Sequence, residues 1–83
     1  MFYLYILKSK KSSSYYVGSC KNVSKRIDLH NRGLVKSTKR YCPWEVVYTE
    51  ECKNLNDAQQ RETKIKSWKK RKAIEELINT PKF

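Results

Sequence analysis

Eighty-three residues with nineteen Lys and Arg against eight Asp and Glu give a formal charge of +11. That length holds one small domain, residues 1–83, which buries about 60–65% of its unfolded surface around a thin core rich in its six Tyr, two Trp and two Phe. The charge argues against a purely structural protein and predicts a polyanionic partner, because nucleic-acid affinity comes largely from phosphate neutralisation; a basic protein that merely stays soluble is the bland alternative.

No apolar run approaches membrane-spanning length, and Met1–Leu7 is too short for a signal-peptide core, so no membrane association is expected. The chain starts at its first strand, with no leading tail expected. Cys20, Cys42 and Cys52 are odd in number and have no metal-finger spacing. They read as reduced thiols of a cytoplasmic protein, some of them buried as small apolar residues.

The first strand reads Tyr3-Leu4-Tyr5-Ile6-Leu7. Phe2, Leu4 and Ile6 fall on one face, and Tyr3, Tyr5 and Leu7 on the other. Lys8–Ser14 is expected to be a hairpin loop. Tyr15, Val17 and Ser19 then alternate against Tyr16 and Gly18 in a second strand. Such a hairpin sets Tyr5 near-opposite Tyr16, and Gly18 is expected to leave open space beside the two phenols.

Asn22 caps a helix running to about Asn31, with an inward stripe of Val23, Ile27, His30 and Leu34. Arg26 lies one turn from both Val23 and His30, so Arg26 and His30 flank or share the inward face. A lone inward histidine is commonly a satisfied core group; the company of Arg26 and two tyrosines favours a functional role here. Gly33 ends the helix. Leu34–Cys42 is a basic, irregular surface segment carrying Lys36, Lys39 and Arg40, which reads either as a phosphate-contacting loop or as a solvated connector.

Pro43 opens a third strand, in which Trp44, Val46 and Tyr48 alternate with Glu45, Val47 and Thr49. A three-stranded sheet needs a helix packed on it. Asn54 or Asn56 caps a second helix, Leu55–Ser67, with Leu55, Ala58, Glu62 and Ile65 inward. An inward carboxylate is costly unless paired or metal-bound. Glu62 therefore reads as half of a structural salt bridge, with Arg26 or a lysine, or as the single protein oxygen ligand of a hard divalent ion. After a basic break, Trp68–Arg71, a last helix over Lys72–Asn79 points Ala73, Ile74, Leu77 and Ile78 inward. The run of Lys64, Lys66, Lys69, Lys70, Arg71 and Lys72 reads as a solvated face or, beside Trp68, as a second DNA-backbone patch. Thr80–Phe83 is expected to be a frayed tail.

The order and joint spacing of Tyr3-Leu4-Tyr5, Tyr16-Val17-Gly18, Arg26 and His30, Asn31-Arg32-Gly33, Pro43-Trp44-Glu45-Val46-Val47-Tyr48 and Arg61-Glu62-Thr63-Lys64-Ile65-Lys66 resemble the GIY-YIG nuclease domain over nearly the whole chain. The likeness is nearest to small stand-alone bacterial members, related to the N-terminal nuclease domain of UvrC-type excinuclease subunits. Two departures stand out: Tyr3 replaces the leading glycine of the first motif, which would narrow the cleft, and no targeting module accompanies the domain.

This resemblance implies an α+β fold, a small three-stranded antiparallel sheet flanked by helices. It implies a metal-dependent endonuclease that hydrolyses DNA phosphodiesters with Mg²⁺ or Mn²⁺, in repair or recombination. Tyr5 would deprotonate or orient the attacking water and Tyr16 would hydrogen-bond that water or the phosphate. Arg26 would polarise the scissile phosphate, His30 would assist proton transfer or positioning, and Glu62 would hold the metal. A phenol is a poor base at neutral pH, and neighbouring cations or a second phenol are expected to favour its phenolate. DNA is the expected partner; a targeting protein would supply the specificity that the chain itself lacks. A nucleic-acid-binding module without turnover, or active only with a partner, is the alternative.

Overall fold

The segment Leu4–Leu7 is apolar on both of its faces, and a strand with two faces to bury belongs in the middle of a sheet. The computed structural model, which describes residues 1–79, places it there. β1 (Phe2–Ser9) is flanked by β2 (Tyr15–Cys20) and β3 (Trp44–Cys52) in the order β2-β1-β3, with both pairings antiparallel. Leu4, Tyr5, Ile6 and Leu7 are all buried. β1 runs through Ser9, so the hairpin loop is shorter than Lys8–Ser14. The Ser9 hydroxyl accepts from the amides of Lys11 and Ser12 and donates to the Tyr41 carbonyl, which ties the hairpin to a distant segment.

Helices cover both faces. Val23 and Ile27 of α1 (Val23–Asn31) pack against Tyr5, Leu7, Cys20 and Trp44. On the other face Ile65 of α2 (Leu55–Ser67) joins Leu4, Ile6 and Val17, with Trp68 and with Ile74, Leu77 and Ile78 of α3 (Arg71–Asn79) around them. α3 begins one residue earlier than its sequence pattern indicates. The fold is thus a mixed α/β arrangement, a three-stranded antiparallel sheet with three helices, as the sequence indicates. The tail expected at Thr80–Phe83 lies outside the described residues.

The alternation read across the third strand fails at one point. Ile6 faces Tyr48 but Leu7 faces Val46, so Val47 is an extra residue in β3. Such a bulge changes which side chains share a face. Tyr48 and Val47 pack with the α2–α3 cluster, Trp44 stays with the α1 cluster, and Val46 is exposed. Tyr48 donates to Glu50, whose carboxylate is gripped by Arg61 Nε and Nη2 at 3.0 Å each. Burial first, and then this hydrogen bond, push the Tyr48 phenol up to about 12. The clasp fastens α2 to β3.

Both ends of the inward stripes overreach. Leu34 is 65% exposed and Leu55 42% exposed, because each sits at a helix terminus, beyond the part that faces the sheet. Asn22 and Asn54 cap α1 and α2, accepting from the amides of Lys25 and Asp57 at 3.0 and 2.8 Å. α1 ends where Gly33 adopts φ +73, with Gly33 N–H on the His30 carbonyl and Leu34 N–H on the Leu29 carbonyl. This paired ending requires a left-handed residue. Gly33→Ala should therefore destabilise the fold by roughly 1–2 kcal/mol, read as a lower urea midpoint at unchanged slope, and Gly33→Asn should lose less.

Candidate functional site

In the β1–β2 register Tyr5 stands opposite Gly18, and Tyr16 opposite Leu7. The two tyrosines are diagonal neighbours rather than a facing pair, with ring centroids 6.3 Å apart. Gly18 does not leave open space. A Cβ there would lie 2.6 Å from the Tyr5 hydroxyl and 2.7 Å from its Cζ, so the Tyr5 ring occupies the volume that a side chain would need. The glycine lets a central-strand tyrosine lie across the edge strand and carry its hydroxyl toward that edge.

His30 is 1% exposed and closes over the phenols, its ring centroid 5.0 Å from that of Tyr16. Its Nε2 lies 3.2 Å from the Tyr5 hydroxyl and its Nδ1 2.6 Å from Thr38 Oγ1. With the imidazole proton on Nδ1, every group is paired: Nδ1–H donates to Thr38 Oγ1, and the Thr38 hydroxyl donates to the Val35 carbonyl at 3.4 Å. Nε2 is then the bare nitrogen, and it accepts from Tyr5. This gives a directed chain, Tyr5 to His30 to Thr38 to Val35. Thr38 belongs to the segment read as irregular and superficial, yet it is 1% exposed. The Trp44 indole N–H grips its carbonyl at 3.0 Å, and a short 3-10 turn, Lys39–Tyr41, follows it. Only the company of His30 in space, which one sequence does not reveal, marks Thr38 as part of the site.

Electrostatics correct one expectation. Burial raises the Tyr5 pKa above the ordinary phenol value; Tyr16 and Glu62 push the same way, and Arg26 opposes them. The second phenol disfavours phenolate instead of promoting it, and Tyr5 rests as a neutral hydrogen-bond donor. Burial, and then Arg26, hold the His30 pKa below its usual 6.5. Arg26 is half-buried, and its side chain makes no hydrogen bond or ion pair among the described residues. Its charge falls on Tyr5, Cys20 and His30.

Glu62 approaches from α2, around the β2 edge. It is not fully inward: its side chain is 22% exposed. One oxygen accepts from Ser19 at 2.8 Å and the other from Lys66 Nζ at 2.6 Å. Of the partners weighed for it, a lysine one turn along holds it, not Arg26. The same Lys66 lies 5.8 Å from the centre of the Tyr16 ring. No group of three or more His, Cys, Asp or Glu able to hold a metal is present among the described residues. The donor set still suits a hard cation that keeps most of its waters. Glu62 offers one carboxylate, Ser19 orients it, and the Lys66 side chain, 50% exposed, is free to swing away.

The basic candidates divide. Lys66, Lys69, Lys70 and Arg71 line one groove of about 270 Å³ with Tyr15 and Tyr16, directly beside the site. Arg71 is partly occupied by Glu75 at 3.3 Å and lies 4.8 Å from the centre of the Tyr15 ring. Lys36, Lys39 and Arg40 are exposed around the turn that carries Thr38. All three cysteines are free thiols, with Cys20 buried. No helix of the described residues is long and apolar enough to cross a membrane.

Residues 1–75 match the model of the GIY-YIG catalytic domain. The chain belongs to the GIY-YIG family. Among its relatives, a UPF0213 protein of Clostridium perfringens is 45% identical over 67 residues, covering 80% of this chain and 71% of that protein. A UPF0213 protein of Staphylococcus saprophyticus is 38% identical over 73 residues, 87% of this chain and 88% of the relative. The solution NMR structure of a UPF0213 protein from Bacillus halodurans superposes with a TM-score of 0.58 at 31% identity, covering 94% of this chain and 83% of that one. These names carry no biochemical activity. The chain is thus a small GIY-YIG protein of bacterial type, and its first two motif tyrosines are the pair that meets over Gly18.

Two measurements check this geometry. Gly18→Ala should displace the Tyr5 ring and cost about 1–3 kcal/mol, seen in urea unfolding together with a changed tyrosine near-ultraviolet signal. The unfolded chain protonates its one histidine near the usual 6.5, and the folded chain only at lower pH. The unfolded state thus binds more protons below that point, and stability is lost as pH falls below about 6.5. His30→Gln should flatten the urea midpoint between about pH 6.5 and 5.

Proposed function

We propose that this GIY-YIG protein is a metal-dependent endonuclease that hydrolyses DNA phosphodiester bonds, in repair or recombination, in the cytoplasm. The observation that carries the reading is the buried chain from Tyr5 through His30 to Thr38, whose Tyr5 feels the charges of both Arg26 and the Glu62 carboxylate. The charge of Arg26 reaches both Tyr5 and His30.

The neutral resting state of Tyr5 dictates how the proton moves. As water attacks phosphorus, its proton passes to the Tyr5 oxygen while the Tyr5 proton passes to bare Nε2 of His30. The bond to the leaving oxygen breaks, that oxygen takes a proton from solvent, and the imidazolium, which burial and Arg26 disfavour, gives its proton back to solvent. Transfer in one motion avoids a free phenolate, which burial disfavours. Nδ1–H stays on Thr38 throughout, so the ring keeps its orientation. Tyr16, more exposed than Tyr5, orients the water or the phosphate. Arg26 grips the scissile phosphate with two N–H donors and stabilises its growing charge. Glu62, steadied by Ser19, would hold Mg²⁺ or Mn²⁺, and such an ion supplies charge neutralisation at the phosphate and the leaving oxygen. Lys36, Lys39, Arg40, Lys66, Lys69, Lys70 and Arg71 contact the DNA backbone.

One observation favours the second reading, a DNA-binding module without turnover: Glu62 is already paired with Lys66. A plasmid-nicking assay with Mg²⁺ or Mn²⁺ separates the two. Wild type should nick, while Tyr5→Phe and Glu62→Ala, prepared identically, should lose about 100-fold or more in rate and keep their DNA affinity. Equal nicking by all three would mean contamination. Binding that falls steeply with salt, without nicking by any, would support the binding module. In a separate titration, Lys66→Met should bind Mn²⁺ more tightly than wild type, read by the loss of the free-ion paramagnetic signal.

A further inference from the structure

Tyr3 forms a wall of a second cavity. This space of about 430 Å³ is lined by Tyr3, Lys21, Asn22, Val23, Ser24 and Thr49. It lies on the α1 face of the sheet. Tyr3 pairs in register with Cys20, and Val23 of the lining lies one turn before Arg26 on α1, so the cavity adjoins the arginine side of the site. Tyr3 and Tyr5 share a face two residues apart, about 6.6 Å along the strand. That is close to the step between successive phosphates on an extended single strand.

We propose that this cavity takes the unpaired base of the nucleotide next to the scissile phosphate, stacked on the half-buried Tyr3 ring. The proposal rests on the nuclease reading and adds a substrate class to it: DNA with single-stranded character at the cut. The lining fits such a guest. The ring offers a stacking surface for any base. The Lys21 ammonium is placed for a flanking phosphate. Asn22 uses its side-chain oxygen to cap α1 and keeps its amide N–H₂ group for a base edge. A base within duplex is already stacked on its neighbours and cannot enter without unpairing. The cavity therefore discriminates against fully paired DNA without reading sequence.

The test measures binding by the full chain in EDTA, so that no cutting intervenes. The probes are a short oligothymidylate, an abasic strand of the same length, and a duplex. Tyr3→Leu should weaken oligothymidylate binding about 5- to 100-fold and leave abasic-strand and duplex binding unchanged. Tyr3→Trp should retain wild-type affinity, and its added indole emission, above that of wild type, should be quenched by oligothymidylate but not by the abasic strand. If Tyr3→Leu is too unstable to fold, the Tyr3→Trp emission decides alone. Equal weakening on all three probes, no weakening on oligothymidylate, or an unquenched indole overturns the base-stacking subsite while leaving the nuclease reading intact. Wild-type binding that ignores both probe and salt removes the nuclease reading itself.

Discussion

The hydrogen-bonded chain from Tyr5 to His30 to Thr38 sets the terms for the rest of the molecule. Each of its members is at most 2% exposed. Buried polar groups cost little only while they are paired, and losing one partner strands the next. So three segments far apart in sequence must be held in register: the central strand, the end of α1 and the turn before β3. Trp44 does much of this holding. Its indole binds the Thr38 carbonyl, and the Asn31 side chain accepts from its amide and donates to its carbonyl, as a neighbouring strand would. Among the described residues no buried side-chain nitrogen or oxygen is left without a partner.

A second, looser layer of charge surrounds that rigid centre. Arg26 is placed by α1 and has no ion-pair partner among the described residues, which leaves its donors available to a phosphate. Glu62 is engaged through partners that differ in kind: a serine that any cation would leave in place, and a flexible lysine that a cation would displace. The contrast is between groups fixed by burial, which keep their protonation and orientation, and groups at the cleft edge, which can exchange partners. Proposed catalysis draws on both: an unyielding proton path and a yielding seat for phosphate and metal.

Much of this was legible in the sequence because it is periodic. The two-residue alternation of β1 and β2, the Asn22 and Asn54 caps and the Gly33 stop each state a local rule, and the elements form where those rules place them. Tyr5, Tyr16 and His30 meet on one face, and the charges of Arg26 and Glu62 reach Tyr5. The misreadings have physical causes. Alternation cannot announce a bulge, so the extra Val47 moves Tyr48 across the sheet unseen. Stripes extended to helix termini overreach at Leu34 and Leu55, where the sheet no longer lies beneath. Thr38 sits among lysines, in a segment whose composition says surface. Gly18 reads as a gap only if the side chain of its cross-strand partner is left out of account; Tyr5 fills it.

The outer edge of β3 has a bearing on how the molecule meets a partner from afar. This strand carries Glu45, Glu50 and Glu51, three of the eight acidic residues in a chain of net charge +11. The cationic residues beside the cleft lie with α2 and α3 near the opposite edge strand, β2. The charge is therefore lopsided as well as large, and a lopsided body turns in an external field. Approaching a polyanion, the protein would be rotated with the β3 edge outward and the β2 edge inward before any contact forms, shortening the orientational search. Glu45 and Glu51, exposed on that strand, also repel a second copy that approaches along β3, which discourages strand-to-strand aggregation.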